Sequence, residues 1–179
     1  MMNEMLILVD ENDKALGTSD KLSVHQNGML HRAFSIFVFN SMHELLLQQR
    51  ADQKYHSGGL WTNTCCGHPR DGEETKTAVR RRLLEEMGVN CDLSFQFSFV
   101  YKAGFENGLT EHELDHVYFG KTDSIPEPDL VEVKNWKYMN IYRLKNDIVL
   151  NESNYSKWLK ICLPQVITLF EQNRNRGLL

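Results

Sequence analysis

The chain has 179 residues, a formal net charge of −4, 41% hydrophobic residues and 25% charged residues. These values are typical of one globular domain in solution, so we expect a single domain over residues 1–179. The negative charge argues against binding to nucleic acid, and every apolar run is far shorter than the roughly 20 residues of a membrane-spanning helix. With four unevenly spaced cysteines and no signal-peptide pattern, we expect reduced thiols and a cytoplasmic location.

The chain opens with strand signals. Short apolar or alternating runs rich in β-branched and aromatic residues, several of them ended by turn residues, are typical of strands. The predicted strands are Met5–Val9, Ala33–Phe39, Leu45–Gln49, Phe95–Tyr101, Leu114–Phe119 and Val133–Met139. The turn residues that follow Val9 predict a hairpin there, and Asn40-Ser41 predicts a second hairpin between the next two strands.

Helical signals are fewer and lie further along the chain. The predicted helices are Glu73–Met87, Ile141–Asn146 and Tyr155–Asn173. The first contains no Gly or Pro and carries Val79, Leu83 and Met87 on one stripe. It ends at Gly88, because glycine tolerates the positive φ of a helix C-terminus. Pro164 inside the last run predicts either a kink or a later start of that helix.

A pattern associated with diphosphate chemistry spans residues 67 to 89. It reads Gly67-x5-Glu73-x7-Arg81-x-Leu83-x-Glu85-Glu86-x-Gly88-Val89 and resembles the loop-helix-loop signature of Nudix proteins. A glycine loop that leads into a glutamate-bearing helix lets a carboxylate hold Mg²⁺ against a diphosphate. One position departs from the Nudix consensus, because Arg82 stands where a glutamate is usual. The i, i+4 spacing of Arg82 and Glu86 suits an ion pair, as it also would on an ordinary solvated helix face.

Three histidines and two glutamates are candidate metal ligands. The candidates are His25, His31, His68, Glu111 and Glu113. We expect the first two to flank Gly28 in a loop, and the two glutamates to face one side of a strand because they are two residues apart. Three imidazoles with two carboxylates suit an octahedral site for Mn²⁺, Mg²⁺, Zn²⁺ or Fe²⁺. The spacing also fits histidines that only form hydrogen bonds, and this is the interpretation for His43, His56, His112 and His116.

The stretch Asn63-Thr64-Cys65-Cys66-Gly67-His68-Pro69 is the most informative part of the chain. It puts a thiol that can transfer a proton two residues from a potential metal ligand. A Nudix hydrolase needs neither a cysteine nor a histidine here, so the combination indicates different chemistry on a diphosphate. Cys65 and Cys66 are neighbours and cannot both point the same way. We expect Cys91 and Cys162 to behave as small core residues.

Together these motifs resemble the type I isopentenyl diphosphate isomerases, in the same order and with closely similar spacing. The resembling segments are Lys21-x3-His25, His31-Arg32-Ala33-Phe34-Ser35, Arg50, the stretch from Trp61 to Pro69, Glu86-Met87-Gly88 and Glu111-His112-Glu113. The resemblance implies an α/β fold of the α+β type, a Nudix-like mixed β-sheet sandwich with flanking helices. It also implies the isomerisation of isopentenyl to dimethylallyl diphosphate through a tertiary carbocation.

The resemblance further implies a role for each matching residue. Cys66 and Glu113 match the catalytic thiol and carboxylate, with Tyr101 as a hydrogen-bond relay. A protein-held divalent ion (Mn²⁺, Mg²⁺ or Zn²⁺) is implied at His25, His31, His68, Glu111 and Glu113. A second ion, Mg²⁺ that arrives with the diphosphate, is implied at Glu86. The implied substrate contacts are Lys21, Arg50, Lys54, Arg82 and Trp158.

Some positions leave alternatives open. Ser57-Gly58-Gly59 replaces an aromatic-Pro-Gly type of loop, which leaves the place of Lys54 open. Trp158 stands at helical spacing and also fits ordinary core packing. Glu85 makes a double carboxylate with Glu86 that suits a hydrolase equally well. The sequence gives no role to the loop that begins at Tyr55.

Two other functions also fit parts of the sequence. A Nudix hydrolase would explain the residues from Gly67 to Val89, but not Cys66, His68 and the two remote histidines. A non-catalytic diphosphate-binding module would use the basic residues and Glu86, but no thiol opposite a carboxylate. For the isomerase we expect a small isoprenoid diphosphate as the partner, no nucleic acid, no membrane, and a monomer or weak homodimer.

Overall fold

The computed structural model of the protein describes residues 4–54 and 56–179. Nine strands occur in these residues: β1 (Met5–Val9), β2 (Ala15–Asp20), β3 (His31–Phe39), β4 (Glu44–Arg50), β5 (Trp61–Thr62), β6 (Cys65–Gly67), β7 (Leu93–Gly104), β8 (Thr110–Lys121) and β9 (Val133–Asn140). The helices are α1 (Lys21–Asn27), α2 (Thr75–Met87), α3 (Ile141–Leu150) and α4 (Lys157–Asn175), and a 3₁₀ turn covers Glu152–Asn154.

Strand β3 is the centre of one mixed sheet. Strand β8 pairs with it in parallel over its whole length, from His31 opposite Glu113 to Phe39 opposite Lys121. The other edge of β3 pairs with β1, β6 and β4 in turn, all antiparallel. Strand β7 extends the sheet beyond β8, and β9 extends it beyond β4. Strands β6 and β8 therefore lie along opposite edges of β3.

Helices cover both faces of the sheet. On one face Phe37 and Phe39 of β3 belong to a core that includes Leu159 and Phe170 of α4. On the other face Phe34, Ile36 and Val38 belong to a second core with α2, whose buried residues include Val79, Leu83 and Met87. Each fully buried side chain of this size contributes about 1.5–3 kcal/mol relative to exposure. The side chains of β3 thus pack into two apolar layers, one on each face of the sheet. The apolar stripe predicted for α2 is confirmed.

The predicted strands are all present, and the two hairpins lie where the turn residues predicted them. One prediction about the N-terminal region is wrong, and helix α1 was not predicted. His25 and His31 do not lie in a loop, because the first belongs to α1 and the second begins β3. Helix α1 forms because the Asp20 side chain accepts a hydrogen bond from the backbone N–H of Ser23, and it ends at Gly28, whose φ of 58° is left-handed.

Helix boundaries differ from the predictions in three places. Helix α2 begins at Thr75 rather than Glu73, because the Glu73 carboxylate accepts hydrogen bonds from the Arg70 N–H and from Arg81. Helix α3 runs on to Leu150. Of the two alternatives predicted at Pro164, a kink or a late start, the late start is wrong, since the helix begins at residue 157 and carries Pro164 inside it. Among residues 4–54 and 56–179, the helices fall short of the length and apolar character that crossing a bilayer requires.

Candidate active site

A cavity of about 710 Å³ lies where β3, β6 and β8 meet α2. Its walls include most of the residues that the sequence singled out: Lys21, Arg50, Lys54, Cys66, His68, Arg82, Glu86, Tyr101, Glu111, Glu113 and Trp158. His25 and His31 lie behind this wall and are almost completely buried. The fold therefore gathers the predicted residues around one space, although they come from segments far apart in the chain.

Five ligand-type side chains converge at one end of the cavity. They are His25, His31, His68, Glu111 and Glu113, and their potential ligand atoms lie within 4.8 Å of one another. We call these five residues the metal-type cluster. Pairing of β7 and β8 holds both glutamates on the inner face of β8, and the register of β3 with β8 sets His31 directly opposite Glu113. Distant histidines reach the same point because α1 and β6 pack against these strands.

The hydrogen bonds of the histidines show how this cluster can hold a cation. Nδ1 of His25 lies 2.6 Å from the Lys21 carbonyl, and Nδ1 of His31 lies 2.9 Å from the Met29 carbonyl. Because a carbonyl only accepts, each Nδ1 donates a hydrogen bond to it, and each ring turns its Nε2 toward the cluster. Within the described part of the chain, Nε2 of His31 is buried without a hydrogen-bond partner, and it lies 3.5 Å from Oε1 of Glu113. Imidazole nitrogens and carboxylates that face one another in this way fit a divalent cation.

Both cluster glutamates are ionised. Burial alone would raise the pKa of Glu111, but hydrogen bonds from His25 and His56 hold it well below its usual range. Burial and the charge of Glu111 oppose ionisation of Glu113, and contacts with His31 and His68 outweigh them and lower its pKa. Burial lowers the pKa of His68, which favours the neutral imidazole that metals bind. Two carboxylates with lowered pKa and three inward-facing imidazole nitrogens are a donor set for a divalent ion.

Cys66 and Cys65 point to different environments, as their adjacency requires. Cys65 is completely buried in the core under α2. Cys66 lines the cavity and pairs with Ser35 on β3. Burial raises the pKa of the Cys66 thiol to about 12; the charge of Arg50 opposes this rise, and Glu86 and Glu113 add to it. Cys66 therefore keeps its proton at neutral pH.

Asp115 continues the row of carboxylates along the inner face of β8. It is fully buried, and Oδ2 accepts a hydrogen bond of 2.8 Å from the Ser35 hydroxyl, while Oδ1 has no hydrogen-bond partner among residues 4–54 and 56–179. Burial, and then the charge of Glu113, raises the pKa of Asp115 well above its usual range. Along this row the pKa is lowered at Glu111 and Glu113 and raised at Asp115, which contacts Ser35, the β3 residue opposite Cys66.

The cations of the cavity are mostly paired with carboxylates. Nζ of Lys21 lies 2.7 Å from Glu4, Lys54 pairs with Glu132, and Arg82 pairs with Glu86 and, at 3.0 Å, with Glu85. Lys54, whose position the sequence left open, therefore faces the cavity. Among residues 4–54 and 56–179, Arg50 forms no such ion pair, and its Nε is buried without a hydrogen-bond partner.

The amide side chains of Gln48 and Asn63 form hydrogen bonds to two residues of the cavity wall, Glu86 and Trp158. Gln48 donates a hydrogen bond of 3.0 Å to Oε2 of Glu86 and another to the Thr64 carbonyl. Asn63 accepts a hydrogen bond of 3.0 Å from the indole N–H of Trp158. The Arg50 guanidinium lies over the same indole, 5.2 Å from its centre. Trp158 is therefore both buried and part of the cavity wall.

Comparison with known proteins accounts for this arrangement. The NUDIX domain family matches residues 29–159. Isopentenyl-diphosphate Delta-isomerase 1 of Aromatoleum aromaticum is 49% identical over 175 residues, which cover 98% of this chain and 99% of that protein. The isopentenyl-diphosphate Delta-isomerase of Pectobacterium atrosepticum is 47% identical over 161 residues, 90% of each chain. The chain belongs to the isopentenyl-diphosphate Delta-isomerase family.

Solved structures show the same architecture. DR0079 from Deinococcus radiodurans has a TM-score of 0.74 with 20% identity, covering 90% of this chain and 98% of its own. The MutT protein from Methanosarcina mazei has a TM-score of 0.64 with 13% identity, covering 81% and 95%. The predicted α+β class, a curled mixed sheet with flanking helices in a Nudix fold, is confirmed.

Sequence reasoning missed several residues at this isomerase-family site. Glu4 and Glu132 pair with its cations, Gln48 holds Glu86, and His56 contacts Glu111 through Nε2 at 2.7 Å. A lone histidine or glutamate in a loop gives no periodic signal, so only the fold reveals these contacts. Tyr55, to which the sequence gave no role, lies outside the described residues.

Proposed function

We propose that this protein interconverts isopentenyl diphosphate and dimethylallyl diphosphate. One observation carries the proposal: Cys66 and Glu113 line the same cavity from strands on opposite sides of β3. Moving a double bond needs one proton added at the terminal methylene and one removed from C2. Two proton-transfer groups at different sides of the bound alkene are therefore required, and identity near 50% with isomerases over most of the chain supports this reaction.

The proposed chemistry proceeds by two proton transfers. The π electrons of the alkene take a proton at the terminal methylene, which becomes a methyl group, and a tertiary cation forms at C3. The C2–H bond then breaks, its electrons form the new double bond, and the proton goes to the second group. Cys66 and Glu113 are the proposed pair, with Tyr101 hydrogen-bonded to Glu113 at 2.6 Å. The two groups exchange roles in the reverse direction.

We propose that His25, His31, His68, Glu111 and Glu113 hold one divalent ion, Mn²⁺, Mg²⁺ or Zn²⁺. The buried Nε2 of His31 without a hydrogen-bond partner and the five converging ligand atoms support this assignment. Such an ion would fix the orientation of the Glu113 carboxylate and favour its ionised form. Glu86 is the proposed ligand of a Mg²⁺ that enters with the diphosphate.

The diphosphate is proposed to bind against Lys21, Arg50, Lys54 and Arg82. Arg50 faces the cavity, and its Nε has no hydrogen-bond partner among the residues that the structure describes, so it can donate a hydrogen bond directly to a phosphate oxygen. The other cations exchange or share their carboxylate partners when the more highly charged diphosphate arrives. Charge-assisted hydrogen bonds then anchor the substrate while its alkene reaches the thiol and carboxylate.

We propose that Trp158, which forms the aromatic wall of the cavity, stabilises the carbocation. Trp158 is held edge-on by Asn63 through its N–H, which leaves its ring available as a cavity wall. The negative π face of an indole attracts a desolvated cation by about 2 kcal/mol. An alkene is a very weak base, so stabilisation of the cation and exclusion of water must both lower the barrier.

Hydrolysis of a nucleoside diphosphate derivative is the competing function. The Arg82 side chain occupies the position of a Nudix carboxylate and pairs with both Glu85 and Glu86. These pairs neutralise part of the acidic surface on which a hydrolase would assemble its metals. A diphosphate-binding module without catalysis would not need a thiol across β3 from a carboxylate. The isomerase uses both the Cys66 thiol and the Glu113 carboxylate as well as the cations of the cavity.

Paired variants test the function at the level of single residues. Cys66→Ala and Glu113→Gln should each lower kcat by at least about 10²–10⁴-fold, as expected for loss of a proton-transfer group. Cys65→Ala is the matched control, because this thiol lies in the core under α2 and should leave the activity close to that of the unaltered protein. Circular dichroism shows whether each variant keeps its fold. A folded Cys66→Ala variant with substantial activity would refute the assignment.

A further inference from the structure

His56 adjoins the metal-type cluster without belonging to it. Its Nε2 lies 2.7 Å from Oε1 of Glu111, while the other oxygen of the same carboxylate, Oε2, lies 3.2 Å from Nε2 of His25. In the described part of the chain, the converging ligand set contains His25 and Glu111 but not His56. The Glu111 carboxylate is therefore held from behind by one imidazole and presented to the cluster by its other oxygen.

The ring of His56 is fixed by several contacts. It stacks on Phe105, with ring centres 4.7 Å apart and planes at 23°, and it meets the Trp158 ring edge-on at 5.9 Å. Nδ1 lies 3.3 Å from the Ser57 hydroxyl, and the His56 carbonyl accepts a hydrogen bond from Arg50. The His56 side chain is 5% exposed. It is thus held rigidly against Glu111, in contact with the proposed aromatic wall.

The backbone after His56 passes very close to the backbone of Asp52 at Gly58. A Cβ on Gly58 would lie 2.4 Å from the carbonyl oxygen of Asp52, and Gly59 has a φ of +76°. These two positions require glycine because the segment folds back onto its own beginning. The loop that replaces the aromatic-Pro-Gly type therefore has a specific shape, and this shape carries His56 into the site.

We propose that His56 is a positioning residue that fixes the metal ligand Glu111 through an Nε2–H to Oε1 hydrogen bond. A carboxylate oxygen only accepts, so Nε2 donates. The bond occupies Oε1 and leaves Oε2 aimed at the cluster, which fixes the carboxylate plane before a cation arrives. Partners of this kind that orient a metal ligand are worth about 10–100-fold in metal affinity. The inference deepens the proposed function, on whose metal site it rests.

Two substitutions separate the hydrogen bond from the ring contacts. His56→Phe keeps an aromatic ring for Phe105 and Trp158 but removes the donor. His56→Gln keeps an N–H donor near the position of Nε2 but removes the ring. Metal-stripped proteins are titrated with Mn²⁺ alone, and free Mn²⁺ is followed by electron paramagnetic resonance. His56→Phe should bind Mn²⁺ about 10–100-fold more weakly, and His56→Gln should stay close to the unaltered protein.

A matched control, His116, lies on β8, the strand that carries Glu111, but on its opposite face. His116 also contacts a carboxylate through Nε2, at 3.0 Å from Asp13, but away from the cavity. His116→Gln should leave the Mn²⁺ affinity unchanged. The melting temperature of each metal-free variant is measured in parallel, since a merely structural role would lower Tm without a specific loss of affinity. Equal Mn²⁺ affinity in His56→Phe and the unaltered protein, or equal losses in both His56 variants, would overturn the proposal.

A double-mutant cycle shows whether His56 acts through Glu111. In a Glu111→Gln background, His56→Phe should cost little further affinity, because the group it positions is already altered. Additive losses would contradict the mechanism. The Mn²⁺ titration does not depend on turnover, so failure of isomerisation with the expected affinity pattern would refute the proposed reaction alone. Isomerisation without any effect of His56→Phe on affinity would refute the positioning role alone.

Discussion

The hydroxyl of Tyr101 donates a hydrogen bond of 2.6 Å to Oε2 of Glu113, its cross-strand partner in the β7–β8 ladder. Oε1 of the same carboxylate lies 3.0 Å from Nε2 of His68. One carboxylate therefore faces the metal-type cluster with one oxygen and a phenol with the other. Burial, and then the charge of Glu113, raises the pKa of Tyr101 well above its usual range, so the phenol remains a donor. Strand register thus fixes the orientation of the proposed acid/base group.

Removing that donor should slow the chemical step. We expect Tyr101→Phe to lower kcat about 10–100-fold with little change in KM, because a hydrogen bond to a charged group is worth about 1.5–3 kcal/mol. Steady-state kinetics with isopentenyl diphosphate measure both constants. Tyr142→Phe is the control, since it removes a similar 2.9 Å bond to Glu171 on the surface. Unchanged kcat in Tyr101→Phe would show that the phenol does not assist Glu113.

Substitution of Trp158 tests whether its ring stabilises the carbocation. Trp158→Phe keeps a π face but loses the N–H bond to Asn63, whereas Trp158→Leu loses the π face as well. If the ring stabilises the carbocation, the leucine variant should lose about 30-fold more kcat than the phenylalanine variant, the equivalent of about 2 kcal/mol. Comparison of kcat in the two variants is the measurement. Equal losses would indicate that Trp158 only packs.

The arginine that replaces a Nudix glutamate should act in binding. Arg82→Gln removes a cavity cation, so we expect KM to rise about ten-fold or more with a smaller change in kcat. Arg80→Gln is the matched control on the same helix, because Arg80 is half exposed and lies 3.5 Å from Asp92, away from the cavity. A fall in kcat at constant KM would instead place Arg82 in the chemistry.

The loop before α2 should contribute stability that depends on pH. Glu73 accepts two hydrogen bonds of 2.7 Å from Arg81, and these bonds, opposed by partial burial, lower the Glu73 pKa below its ordinary value of 4.5. A lowered folded-state pKa gives stability that is fully present above pH 4.5 and is lost as pH falls.

Glu73→Gln should therefore lower the free energy of unfolding by about 1–2 kcal/mol at neutral pH. The difference from the unaltered protein should shrink as pH falls below the unfolded pKa. Urea denaturation across this range measures it, and Glu74→Gln is the control because its side chain makes no capping bond. A difference that stays constant down to low pH would contradict the ion-pair account.

The sequence predicted the parts of the fold that depend on local patterns. One apolar stripe and a terminal glycine predicted helix α2 and its end. The two-residue repeat of a strand predicted that the two glutamates of β8 face the same side. Strands β5 and β6 have only two and three residues in the described chain, too few to show any repeat. The parallel pairing of β3 with β8 joins residues about eighty positions apart, and no local pattern encodes it.

The candidate site shows the same division. The positions of Cys66, His68 and Glu86 relative to one another follow from a contiguous motif. The role of His56 does not, because its contact with Glu111 depends on a loop whose shape is set by a backbone approach at Gly58. The pairing of Lys54 with Glu132 likewise depends on two segments that meet only in the folded chain.

Incorporation of deuterium from the solvent tests whether the protein moves the double bond by proton transfer. The protein is incubated with isopentenyl diphosphate and Mg²⁺ in deuterated water, and the products are followed by NMR. Proton transfer through a carbocation predicts dimethylallyl diphosphate that carries deuterium from the solvent, with the diphosphate intact. Free phosphate or pyrophosphate without an allylic product would contradict the account and indicate hydrolysis.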